Sequence, residues 1–175
     1  MGEANADNTE GGHTWKPRME TCQQCHVNRL SPEEPVTSFQ QIAAFGDYDG
    51  DGVTKSAFEE IGTIGDPVLG DSGLFGQLKA VLAAKGIFYD PNTYPYFFTS
   101  AAETTAFTAW TTNTLTAAFN LGFMYKAGTC TPYHNARYTA QILQDSMRAL
   151  GVTPKGVRPP GDRNATDYRT IVVNP

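Results

Sequence analysis

The sequence lacks any apolar stretch close to the roughly 18 residues that a transmembrane helix needs, and it contains no run of lysine or arginine. The formal net charge of the 175 residues is −5, so a nucleic-acid-binding surface is not predicted. The polar and acidic N-terminal letters, MGEANADNTEGG, do not form a signal peptide as they stand. Hydrophobic residues make up only 40%, while 17 glycines and 11 prolines indicate a loop-rich domain.

Helical periodicity and breaker residues divide the chain into three parts. We predict a disordered segment over 1–12, one mainly α domain over 13–151 and an extended tail over 152–175. Five stretches carry a helical pattern. Two are short, 36–46 and 55–64, and three are stronger, 72–86, 102–128 and 135–151.

The two longest patterns have recognisable faces and ends. Asn135 is a natural N-cap for the last helix and Gly151 a natural end, with Tyr138 among the residues of its apolar stripe. The apolar face predicted for 102–128 consists of Phe107, Trp110, Leu115, Ala118, Phe119 and Phe123.

Two of the three cysteines lie in the stretch Cys22-Gln-Gln-Cys25-His26. A redox dithiol of the thioredoxin kind needs alternating strands and helices around it, which the pattern does not predict. A structural zinc site needs a second ligand pair at suitable spacing, whereas the remaining cysteine and histidines stand far apart in sequence. Covalent haem needs only two thiols at this spacing and an adjacent histidine as the proximal iron ligand. We therefore interpret Cys22, Cys25 and His26 as a haem c attachment motif.

The iron of such a haem takes a sixth ligand in an electron carrier, whereas an open position serves gas binding or catalysis. His134, in the sequence TPYHNARY ahead of the last predicted helix, and His13, in the run before the motif, are the candidates. Methionines inside helical patterns usually fill the core. Methionine ligation and an open site therefore rank behind the two histidines.

A longer stretch carries a resemblance to a known class of proteins. The sequence AFTAWTTNTLTAAFNLGFMYKAGTCTPYHNARYTAQILQDSMRALG resembles the C-terminal region of large bacterial multihaem c-type cytochromes, and the upstream CQQCH, DYDGDG and YPYFF follow in the same order. The resemblance implies an electron-transfer protein outside the cytoplasm with mostly bis-histidine haems. It supports His26 as proximal ligand and favours His134, in its His-Asn-x-x-Tyr setting, over His13 as the distal one. Unlike those relatives, this chain has one CxxCH motif, so His13 could serve a haem elsewhere, including one on an adjacent subunit.

The stretch DYDGDGVTKSAFEE is similar to the start of an EF-hand calcium loop, whose pattern is D-x-[DN]-x-[DN]-G-x5-E. Asp47, Asp49 and Asp51 match its first, third and fifth positions, and Gly52 matches its sixth. Three carboxylates this close in sequence repel one another, and a cation would relieve the repulsion.

The second half of this loop departs from the pattern. Phe58 stands where the closing glutamate belongs, and Glu59 and Glu60 follow it. We predict that one of them, with Glu59 as the first choice, reaches the ion, and that the Val53 carbonyl contributes. The competing interpretation is a solvated Gly-Asp turn without a metal.

The predicted function is electron transfer by one covalent haem, without enzymatic activity, with calcium as an ordering ion. Two alternatives stay open: an open-site haem enzyme or gas-binding protein, and a calcium-stabilised interaction module in which haem is structural. Expected partners are other cytochromes or redox proteins, or further copies of the chain in an oligomer or filament. Haem c attachment implies a periplasmic or extracellular location. Cys130 is left as an odd thiol of undetermined role.

Overall fold

The computed structural model describes residues 18–24, 26, 28, 31, 33–127 and 130–160, with the backbone alone for 130–134. The predicted disordered segment 1–12 and most of the predicted tail lie outside these residues. The elements are α1 (Met19–Gln23), a 3-10 helix (Phe39–Gln41), α2 (Ala57–Ile61), α3 (Gly73–Ala83), β1 (Phe88–Tyr89), β2 (Phe97–Phe98), α4 (Thr112–Lys126) and α5 (Cys130–Ala149).

The described part of the chain is helix-rich and loop-rich, as the sequence predicted. Helix α5 packs on α2, α3 and α4, so the hydrophobic core lies around it. Its fully buried side chains include Leu78, Leu82, Leu121 and Leu143, each of which contributes about 1.5–3 kcal/mol by leaving water. No described helix combines the length and the apolar character that crossing a membrane would require.

Helix α4 begins about ten residues later than the pattern predicted. Thr111 has extended backbone angles, and its hydroxyl accepts a hydrogen bond from the N–H of Thr114 in a capping box. The residues before it continue the neighbouring ribbon instead, since the N–H of Phe107 donates to the Phe97 carbonyl at 2.9 Å. The prediction of a helix from residue 102 is therefore wrong.

The buried face of α4 also differs from the predicted one. It consists of Ala117, Ala118, Leu121 and Met124, whereas the large apolar side chains of Leu115, Phe119 and Phe123 are exposed. Two of these inner residues are alanines, and α4 packs against α5. Phe119 and Phe123 are therefore on the outside, whereas Phe107 and Trp110 are partly buried against the core as predicted.

The last helix follows its prediction more closely. Asn135 interrupts helical geometry with φ −155° and ψ 62°, and its Oδ1 accepts a hydrogen bond from the N–H of Tyr138 at 3.2 Å. This is the N-cap arrangement expected from the sequence. Tyr138 itself is exposed rather than part of the core, and Gly151 ends the helix with φ 83°.

The remaining elements are a two-stranded ribbon and a 3-10 turn. The strands β1 and β2 pair antiparallel, with Phe88 opposite Phe98 and Tyr89 opposite Phe97. The predicted helix over 36–46 is reduced to the 3-10 turn, because Ile42 is extended and Ala43 pairs with Ser56 in an isolated bridge.

Candidate functional site

Helix α1 carries the first cysteine of the CxxCH motif close to its histidine. The N–H of His26 donates to the Cys22 carbonyl at 2.9 Å, which places the two residues one helical turn apart. The Cys22 thiol is free and partly buried, and His26 is exposed. Gln23 connects α1 to the segment before the 3-10 turn, since its Nε2 donates to the carbonyl of the buried Val36 at 2.6 Å.

The electrostatic setting of Cys22 distinguishes between kinds of cysteine site. Burial raises the pKa of its thiol. Redox-active cysteines in CxxC motifs show the opposite shift, because their chemistry depends on a stabilised thiolate. The described surroundings of Cys22 therefore do not stabilise the thiolate that a redox dithiol needs.

Of the other predicted haem residues, the structure describes only the backbone of His134. Cys25 and His13 lie outside the described residues. The backbone of His134 lies in α5, directly before the break at Asn135, and its side chain is outside the description. Within the described part of the chain, one backbone hydrogen bond relates Cys22 to His26.

The predicted calcium loop folds into a compact carboxylate pocket, defined by Asp47, Asp49 and Glu60. One carboxylate oxygen of each lies within 4.8 Å of the other two, and Asp49 and Glu60 are buried. Oxygen atoms at this separation suit a hard cation such as calcium.

Glu60 is the centre of the pocket, fully buried with 0% exposure. Its Oε2 accepts hydrogen bonds from the N–H groups of Tyr48 at 2.7 Å and Asp49 at 3.1 Å. Its Oε1 accepts one from the N–H of Lys55 at 2.7 Å. Burial raises the pKa of Glu60 despite these donors, which act in the opposite direction.

Lys55 supplies a positive charge within the same loop. Its Nζ lies 3.0 Å from Asp49 Oδ2 and 2.5 Å from Asp51 Oδ2. Burial acts to lower the pKa of Lys55, but the hydrogen bonds to Asp51 and Asp49 outweigh it and raise that pKa. Lys55 thus partly neutralises the loop and occupies oxygens that a metal ion would also use.

The structure brings Glu60 to this pocket, whereas the sequence had favoured Glu59. Glu59 completes the N-terminal capping box of α2, where its Oε2 accepts from the Ser56 N–H at 3.0 Å and the Ser56 hydroxyl at 2.7 Å. The Ser-x-x-Glu pattern at 56–59 is the usual sequence mark of such a box and would have assigned Glu59 to it. Val53 is exposed, and its N–H donates to Asp51 Oδ1 at 2.9 Å.

The residues after α5, together with Gln144 of α5, contact the backbone of the loop that carries Asp47 and Asp49. The N–H of Val157 donates to the Asp47 carbonyl at 2.7 Å, and Gln144 Nε2 donates to the Tyr48 carbonyl at 2.8 Å. Gly156 passes so close that a Cβ there would lie 1.9 Å from the Tyr48 carbonyl oxygen. The first part of the predicted tail therefore packs on the loop at 47–50.

Comparisons with family models, curated protein sequences and solved structures find no match to the chain.

Proposed function

We propose that the chain is an electron-transfer c-type cytochrome domain in which Cys22 and Cys25 attach one haem and His26 is its proximal ligand. The observation that supports this most directly is the helical turn joining Cys22 to His26. Because the motif sits at one end of an exposed helix, a large group attached there would not have to enter the core. The raised pKa of the Cys22 thiol disfavours the thiolate that redox chemistry would need.

Haem supplies one-electron redox chemistry when it is bound. The role of the protein is to fix the two axial ligands and to control access of water and small molecules to the iron. We propose His134 as the distal ligand, supported by its position directly before the N-cap Asn135, where the helix entry fixes the backbone. His13 is the alternative ligand, for this haem or for one on an adjacent subunit.

The absorption spectrum of the oxidised and reduced protein tests this assignment. We expect a low-spin haem c spectrum with a near-infrared band typical of bis-histidine ligation, lost in His134→Ala and kept in His13→Ala. Loss in His13→Ala alone would transfer the distal role to His13. Carbon monoxide binding to the reduced wild type would overturn the electron-carrier proposal in favour of an open-site haem protein.

The proposal includes the setting in which the domain works. Attachment of haem c implies a periplasmic or extracellular location, with other cytochromes, redox proteins or further copies of the chain as partners. Fractionation of the producing cells, with haem-specific detection of the chain, tests the location. Recovery of haem-loaded chain from the cytoplasm alone would contradict it.

We also propose that the carboxylate pocket holds one calcium ion that orders the loop. Asp47, Asp49 and Glu60 would supply ligand oxygens. Burial raises the pKa of Glu60, and a cation beside its carboxylate would favour the ionised form. Titration calorimetry in chelator-treated buffer should show one calcium site that is lost in Glu60→Gln. Equal calcium binding by Glu60→Gln and the wild type would contradict this assignment.

A further inference from the structure

An open groove lies between the β1–β2 ribbon and the outer face of α4, and we call it the aromatic groove. Its volume is about 450 Å³, within the range of about 300–1,000 Å³ that is typical of small-molecule sites. Its lining includes Tyr89, Tyr96, Phe97, Phe119, Gly122, Phe123 and Lys126.

The walls of the aromatic groove are flat aromatic rings. Phe119 and Phe123 stack with ring centroids 5.7 Å apart and planes 11° apart, although 63% and 58% of these residues are exposed. Opposite them, Tyr89 and Phe97 pack with ring centroids 4.8 Å apart. Exposed parallel rings of this kind favour a planar aromatic occupant, which stacks on them.

A single positive charge is placed at the groove. Lys126 Nζ lies 3.5 Å from the centroid of the Tyr96 ring, and it is the one charged residue in the lining. Within the described residues Lys126 makes no ion pair. An occupant with one negative group beside its aromatic part would complement this arrangement.

Gly122 keeps the floor of the groove open. It lies within α4, and a Cβ there would contact the Phe97 ring at 3.7 Å, an ordinary packing distance. Alanine would therefore fit and would favour the helix, so no packing constraint accounts for glycine. What glycine provides is space between Phe97 and the helix.

One residue of the lining, Tyr89, also carries an unsatisfied polar atom. The hydroxyl of Tyr89 is buried without a hydrogen-bond partner among the described residues, which is unusual for a buried tyrosine. Tyr96, on the same wall, adopts φ 76°, and strained backbone of this kind is frequent at ligand sites.

We propose that the aromatic groove binds a small, flat aromatic molecule that carries one anionic group. The rings of Phe119 and Phe123 stack on its plane, Gly122 leaves room for it, and Lys126 pairs with its charge. The lining of the groove shares no residue with the Cys22–His26 motif, and this proposal does not rest on the haem proposal.

Equilibrium dialysis of the full-length protein with two matched probes tests the site. The probes are 2-naphthalenesulfonate and 2-naphthalenesulfonamide, which share one flat ring system and differ in the negative charge. We expect saturable, one-to-one binding of the sulfonate probe, weakened about tenfold or more in Gly122→Leu because the new side chain fills the groove. Lys126→Gln should weaken the sulfonate probe about fivefold and leave the uncharged probe unchanged.

Controls separate the groove from general surface effects. Lys85→Gln removes an exposed lysine outside the lining and should bind both probes as the wild type does, and circular dichroism must show that each variant is folded. Gly122→Ala, which adds one methyl group without a clash, covers the case in which Gly122→Leu fails to fold, and it should weaken binding by a smaller factor.

Three results would overturn the proposal. The first is an absence of saturable binding, and the second is binding that Gly122→Leu and Gly122→Ala leave unchanged. The third is concentration-dependent dimerisation that Phe119→Ser abolishes and that excludes the probes, because a second copy of the chain would then cover this face.

Discussion

Replacing Glu60 by glutamine tests whether one buried carboxylate holds the loop at 47–55 in place. The carboxylate accepts three backbone hydrogen bonds, from the N–H groups of Tyr48, Asp49 and Lys55. Glutamine has nearly the same volume but only one acceptor oxygen, and its amide nitrogen can only donate. If that oxygen takes the place of Oε2, the N–H of Lys55 loses its acceptor and faces another donor.

The size of the effect follows from these contacts. A buried N–H without a partner costs about 1–3 kcal/mol, and the two remaining bonds lose the strength that a charged acceptor gives them. Removal of a buried charge acts in the opposite direction, because burial disfavours the ionised form of Glu60. We expect Glu60→Gln to lower the free energy of unfolding at pH 7 by about 1–2 kcal/mol, measured by urea unfolding in metal-free buffer.

Glu59→Gln is the matched control for this experiment. Glutamine is also accepted at this position of a capping box, so the free energy of unfolding should fall by less than about 0.5 kcal/mol. Equal destabilisation by the two substitutions, or no measurable loss in Glu60→Gln, would refute the reasoning.

The pH dependence of stability gives a second readout on Glu60. Its folded pKa lies above the ordinary value of 4.5, so the folded chain binds an extra proton between 4.5 and the raised pKa. Stability from this group is therefore fully present below pH 4.5 and is lost as the pH rises through the raised pKa. In metal-free buffer this loss should be present in the wild type and absent in Glu60→Gln.

Three further substitutions test other contacts. Lys55→Gln should raise calcium affinity about tenfold by calorimetry, since it removes a cation that competes for Asp49; unchanged or weaker binding would contradict this competition. Arg158→Gln should cost up to about 1 kcal/mol at pH 7 by urea unfolding, because Arg158 holds Asp145 with contacts of 2.9 and 2.7 Å. Burial would raise the pKa of Asp145, but its hydrogen bonds to arginine lower it. That stability is thus lost as the pH falls below about 4, and an equal effect at pH 3 would contradict the assignment. Gly122→Ala should raise the free energy of unfolding by about 0.5–1 kcal/mol, and a loss would show that the Phe97 ring cannot accept the methyl group.

Local chemistry made parts of the fold predictable from the sequence. Asn135 was expected as an N-cap because its short side chain can accept from a backbone N–H three residues later, and it does so with Tyr138. The clustering of Asp47 and Asp49 could also be predicted from the sequence, because both belong to one short loop. In such cases the deciding partners are a few residues apart.

Other features depend on parts of the chain that the pattern cannot bring together. Periodicity gives α4 two apolar faces, and only packing against α5 decides that Ala117 and Leu121 face inward while Phe119 faces out. Likewise, the close approach of Gly156 to Tyr48 joins segments about a hundred residues apart. The choice between Glu59 and Glu60 was a different case. The Ser56–Glu59 capping box was visible in the sequence, and it indicates that Glu59 caps α2 rather than reaching the pocket.

The most direct measurement for the central claim is the intact mass of the full chain made in a bacterial periplasm that attaches haem c. We expect a mass increase equal to one haem that survives acidic organic extraction, and no such increase in a Cys22→Ser, Cys25→Ser double variant. Wild-type chain that carries no haem, or that releases all of it on extraction, would contradict the account.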